Sequence, residues 1–220
     1  MAPRLPSELF AFNKKPKVLS GDVIQVLVGN EEQRFTVHEN SLRVNSAFFE
    51  AALRRDWMET VDRTVKLPEE SPERFHVYVQ WVYCGLYKGL KGRPELSPND
   101  LARLYTLGAR LQDHDFQDAA LDAFIYRCGE KETIPDDNIV FLIFSNTTKG
   151  DPMRRLLVKM RVRSGMVGNF DNEMGTQMAE FYFDIAKKSM EGVDPSVAPD
   201  GPGRCKYHQH GDQPCYRADE

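Results

Sequence analysis

The chain has 220 residues, 41% of them hydrophobic and 28% charged, with 13 Phe, 8 Tyr and 2 Trp. That composition belongs to a chain that folds around an apolar core, and it excludes a disordered or collagen-like polymer. Lys and Arg number 29 against 33 Asp and Glu, for a net charge of −4. This is the wrong overall sign for a dedicated nucleic-acid binder, and the longest apolar run, Ile139 to Phe144, is far short of the ~20 residues that a membrane-spanning helix needs.

Residues 1–19 carry Pro3, Pro6 and Pro16 and no long apolar stretch, so they read as a flexible leader without a signal peptide, and the protein is expected to be intracellular, cytoplasmic or nuclear. Ile24, Val26 and Val28 then alternate with Gln25 and Leu27. After the turn Gly29-Asn30-Glu31-Glu32, Phe35 and Val37 alternate with Arg34, Thr36 and His38, which predicts a hairpin. Leu42, Ser46, Phe49 and Leu53 recur at helical spacing, predicting one or two short helices over about 41–54, and Thr64 to Leu67 reads as a third strand stopped by Pro68. Ser71-Pro72 and Ser97-Pro98 are helix starts, the first followed by Phe75, Tyr78, Val79 and Val82, the second by Leu101, Leu104, Tyr105 and Gly108. Phe116, Ala119, Ala120 and Ala123 mark a further helix that runs to Cys128.

Beyond Pro135, helical periodicity continues through Ile139–Phe144, Met153–Met160 and Met178–Ile185. Residues 131–191 are therefore expected to form an all-helical extension, 192–203 a proline-containing linker and 204–220 a polar tail. Cys84 and Cys128 fall inside helical patterns and are expected to be buried thiols, and the carboxylate pairs Glu31-Glu32 and Glu69-Glu70 are expected to be solvated in turns. His38, at a strand–helix junction, is expected to be held by backbone groups rather than to act in catalysis. No glycine-rich phosphate loop stands between a strand and a helix, and no Ser, His and Asp set suggests itself.

Gly21-Asp22-Val23, Phe35-Thr36-Val37-His38, Leu42, Ser46-Ala47-Phe48-Phe49, Leu67-Pro68-Glu69 and Phe75 through Trp81-Val82-Tyr83 occur in an order that resembles the BTB/POZ family over residues 20–130. Residues 135–190, with Pro152-Met153-Arg154-Arg155-Leu156-Leu157-Val158, resemble the helical extension of BTB proteins from filamentous fungi. The resemblance implies an α+β fold, a small sheet with a hairpin flanked by helix pairs. It also implies a non-enzymatic protein-interaction module with no catalytic residues and no cofactor in the BTB domain. Adaptors of this family dock a cullin-type ubiquitin-ligase scaffold through a hydrophobic-x-Glu motif, and Trp57-Met58-Glu59 matches it at a suitable distance from the third strand. The alternative is a self-associating BTB scaffold in transcriptional regulation, in which a buried Asp pairs with an Arg after the strand histidine. Asp22 matches the first, but Glu39 stands where the arginine is expected, and an obligate dimer is not predicted.

Between Lys149 and Arg163 six basic residues face the single acid Asp151. Met153, Leu156, Leu157 and Met160 share one helical face, so this run reads as an amphipathic helix with a solvated basic side, and nucleic acid is not an expected partner. In the tail, Cys205, His208, His210 and Cys215 bring two thiols and two imidazoles within eleven residues. That is the ligand set of a closed tetrahedral zinc site. Its spacing is that of no standard finger, and the His-x-His step needs an extended backbone to turn both rings to one ion. A Cys205–Cys215 disulfide and incidental residues are the other readings.

Overall fold

The computed structural model describes residues 21–54, 63–84, 96–130, 133–165, 175–191, 207–210 and 215. Strands β1 (Val23–Val28) and β2 (Gln33–His38) form the antiparallel hairpin, with Val23 opposite His38 and Val28 opposite Gln33. Strand β3 (Thr64–Leu67) pairs parallel to the other edge of β1, giving a mixed three-stranded sheet of order β2-β1-β3. The period-2 pattern sets the faces: Ile24, Val26, Val28, Val37, Val65 and Leu67 all turn into the core. Gly29 closes the first strand at φ 77°, and a side chain there would meet the Pro72 ring at 3.3 Å. Both the backbone angle and the close approach call for glycine.

Eight helices follow or flank the sheet among the described residues. The stretch after the hairpin divides into α1 (Glu39–Asn45) and α2 (Ala47–Ala52) because Ser46 takes an extended conformation between them. Its hydroxyl accepts from Phe49 N–H at 3.1 Å and donates to the Leu111 carbonyl, so one buried serine caps α2 and ties it to the next helix layer. Helices α3 (Pro72–Cys84), α4 (Pro98–Leu111) and α5 (His114–Glu130) pack over this frame. Ser97 and Asp100 form a reciprocal capping box at the start of α4. At the α4–α5 crossing, a Cβ on Gly108 would lie 3.1 Å from the Gln117 nitrogen, so the missing side chain permits the close approach.

The annex consists of α6 (Asp137–Asn146), α7 (Pro152–Ser164) and α8 (Gly175–Glu191). Its buried residues, including Ile143, Met153, Leu157 and Phe181, join those of the sheet and α3–α5 in one continuous core. Two members of the basic run depart from the solvated face expected of them. Arg154 is buried, donating to the carbonyls of Phe144 and Thr147 at the end of α6 and to Glu180 of α8. Arg161, also buried, donates to the Pro135 carbonyl and to Asp137 and lies over the Phe181 ring. A planar fork that satisfies several acceptors at once makes arginine fit for such interior positions, and helical periodicity does not distinguish this use from a solvated one. Two smaller expectations also change: Cys84 is exposed while Cys128 is buried, and Glu70 is buried against Arg110 at 2.7 Å. No helix among the described residues is long and apolar enough to cross a membrane.

The α3 and α5 layers meet at Asp113, which lies just before α5 and is itself buried. One carboxylate oxygen accepts from Phe116 N–H at 2.9 Å, and the other accepts from the Tyr78 hydroxyl at 3.1 Å and the Trp81 indole N–H at 3.2 Å. Burial and the Asp113 charge push the Tyr78 hydroxyl well up, so it remains a donor. Asp113→Ala takes the acceptor from three buried donors and should lower stability by about 3 kcal/mol or more, whereas Tyr78→Phe removes one bond and should cost about 1 kcal/mol. Urea unfolding of both variants measures this, and a loss below about 1 kcal/mol in Asp113→Ala would contradict the assignment.

Candidate metal centre

Helix α5 presents Asp118 and Asp122 one turn apart on the same face, and both are buried. Residues 207–210 of the tail lie against them. Gln209 N–H donates to both oxygens of Asp118, at 3.1 and 3.0 Å, and His208 Nε2 lies 3.0 Å from Asp122 Oδ2. The His208 and Asp122 side chains are 1% and 2% exposed, so this pair is interior. Tyr207 joins the core. The Tyr105 hydroxyl of α4 accepts from the Gln209 side-chain amide at 3.4 Å and donates to Asp151 at 2.9 Å. Asp151 also caps α7 through Met153 N–H and Arg154 N–H. The tail, the helix pair and the annex thus converge on a few polar atoms.

His208, His210 and Cys215 bring one ligand atom each within 4.8 Å of one another. Cys215 Sγ stands 3.4 Å from His208 Nδ1, close to the ~3.5 Å that separates a sulfur and a nitrogen donor on one tetrahedral zinc. Because Nε2 of His208 faces Asp122, Nδ1 is the nitrogen turned toward the thiol. A histidine ligand whose other ring nitrogen rests on a carboxylate is the usual outer arrangement of such centres. The same line of thiol, imidazole and carboxylate also resembles an activated nucleophile. The imidazole of His210, its centroid 5.8 Å from that of His208, supplies a further donor that a metal ion uses and a nucleophile does not need.

Burial raises the carboxyl of Asp118 to about 7, against the opposing pull of the Gln209 N–H and His208. Burial likewise raises the Asp151 carboxyl and, with the charge of Asp151, the Tyr105 hydroxyl, which keeps that hydroxyl a donor.

The other sequence-predicted positions among the described residues are separate from this centre. Trp57, Met58, Glu59 and Cys205 lie outside the described residues, as do the leader and the linker. Leu42, Ser46 and Phe49 are buried, and the Phe35 ring stands edge-on to Phe75 at 5.0 Å. His38 is held by a side chain rather than by backbone: its N–H donates to the Tyr83 hydroxyl at 3.0 Å, and its Nδ1 lies 2.8 Å from that hydroxyl. Asp22 is 70% exposed and pairs with Arg63 at 2.7 Å, with Glu39 3.8 Å from the same guanidinium. No buried Asp–Arg pocket forms there.

Asp118, Asp122 and Tyr105 were not legible as site residues. The two aspartates fall on the side of α5 opposite the Phe116, Ala119, Ala120 and Ala123 stripe, where helical periodicity predicts solvent, yet residues 116–124 are buried on every side. Comparison with protein-family models and with curated proteins finds no match.

Asp118 generates a pH dependence. Its folded value lies above the ordinary value of 3.8, so the native state holds more protons and the stability it contributes is complete below about pH 4 and lost as pH rises through about 7. Asp118→Asn should flatten the fall in stability between those values in urea unfolding; a variant whose profile parallels the wild type would contradict this.

Proposed function

We propose that the chain is a BTB-type protein-interaction module that acts as an adaptor, recruiting client proteins to a cullin-type ubiquitin ligase, with a structural zinc ion in its Cys/His tail. The observation that carries the reading is the sheet: a hairpin whose first strand pairs in parallel with a strand arriving after two short helices, in the order β2-β1-β3. Ser46, which bridges α2 to α4, and the aromatic contacts Phe35–Phe75, Phe49–Phe75 and Phe75–Tyr78 support the same reading, since these residues carry the resemblance.

The segment between α2 and β3 carries Trp57-Met58-Glu59. A large aromatic beside a carboxylate suits an interface anchor, because burying the ring supplies the energy and the charge supplies orientation. The exposed Asp22–Arg63 pair supports the adaptor over the self-associating scaffold, whose charged pocket needs a buried aspartate. For the tail, the ion is held by His208, His210 and Cys215, with Cys205 as the fourth ligand, and no chemistry is asked of it beyond folding.

A pulldown with a purified cullin N-terminal region tests the adaptor role. The wild-type chain should retain the cullin, and Trp57→Ala combined with Glu59→Ala should reduce retention at least tenfold; equal retention by both proteins would refute the motif's role.

A further inference from the structure

Resting on the zinc reading of the tail, we infer that Asp122 is the positioning residue of the metal centre and that the ion latches the tail onto α5, so that metal binding and docking of residues 207–210 form one linked step. An isolated Cys/His tail would have to orient its own ligands. Here the orientation comes from a helix 86 residues earlier in the sequence. With Nε2–H of His208 donated to Asp122, the lone pair of Nδ1 points away from the helix toward Cys215 Sγ, 3.4 Å distant. The enclosure of both side chains leaves the ring little freedom to present the other nitrogen.

Gln209, between the two histidines, strengthens the coupling. Its backbone N–H is fixed by Asp118 and its side chain by Tyr105, so the contacts that dock the tail also set the His208–His210 step against the α4–α5 pair. Through Tyr105 and Asp151 the same contacts reach the start of α7. An ion that prefers the docked tail must stabilise the helices that dock it, in proportion to that preference. Loss of the ion weakens the hold on the α5 face that carries Asp118 and Asp122, so the latch makes exposure of this acidic face depend on the metal.

The test uses the full-length chain with Zn(II) and Co(II) as the metals. Wild type should take up one equivalent of zinc, and its Co(II) form should show thiolate-to-metal charge-transfer absorption. Asp122→Asn should weaken zinc binding about 10- to 100-fold in competition with a chelator of known affinity, while its cobalt form keeps the same charge-transfer band. Asp122→Glu should recover part of the affinity, a rescue that a purely structural aspartate would not give. Hydrogen exchange of residues 114–130 in the wild type needs no variant and should slow when zinc is added. Equal zinc affinity in wild type and Asp122→Asn, with exchange in α5 indifferent to zinc, would overturn the latch and leave the zinc reading standing. Failure of the wild type to bind zinc would overturn both.

Discussion

Helix α5 and the residue before it carry three aspartates into the interior, and much of the molecule is arranged to meet them. A buried carboxylate is costly unless donors converge on it. Asp113 receives Tyr78, Trp81 and the Phe116 amide; Asp118 receives the Gln209 amide; Asp122 receives His208. Tyr78 and Trp81 come from α3 and tie that helix to the start of α5, whose own Phe116 amide completes the set. The donors to Asp118 and Asp122 come from the far end of the chain and make residues 207–210 part of the folded unit. Replacing these carboxylates with apolar groups would retain a helix stripe but lose the reason for the tail to lie there.

The same logic extends to the annex. Asp151 starts α7 and accepts from Tyr105, and the buried guanidiniums of Arg154 and Arg161 satisfy carbonyls and a carboxylate at the two ends of α6 and Glu180 of α8. Apolar packing joins the same helices, with the Phe144 and Phe181 rings edge-on at a centroid distance of 5.3 Å. Hydrophobic burial is non-directional, so it holds the helices together without fixing their register. The polar joints at Ser46, Asp113 and Asp151 supply direction.

The sheet and the helix starts were legible because they depend on local signals. Alternation in Val23–Val28 and Gln33–His38, and the Ser-Pro pairs before α3 and α4, determine faces and boundaries within a few residues of themselves. The partners of His38, Glu70, Arg154 and Arg161 were not legible, because each meets a group brought in by the fold rather than by its neighbours. The ligand set of the tail was legible as composition, and three of its members converge. Its seat was not: nothing in the tail indicates α5, and the aspartates that receive it lie opposite that helix's apolar stripe, where periodicity predicts solvent.

In this account the tail is built into the domain through one oriented imidazole. The most direct measurement is the tautomer of His208 in the zinc-loaded full-length chain, read from the two ring ¹⁵N shifts and their couplings to the ring protons. The account predicts a proton fixed on Nε2 and a metal-bound Nδ1. A ring protonated on Nδ1, or one whose two nitrogens average and titrate as in a free histidine, would contradict it.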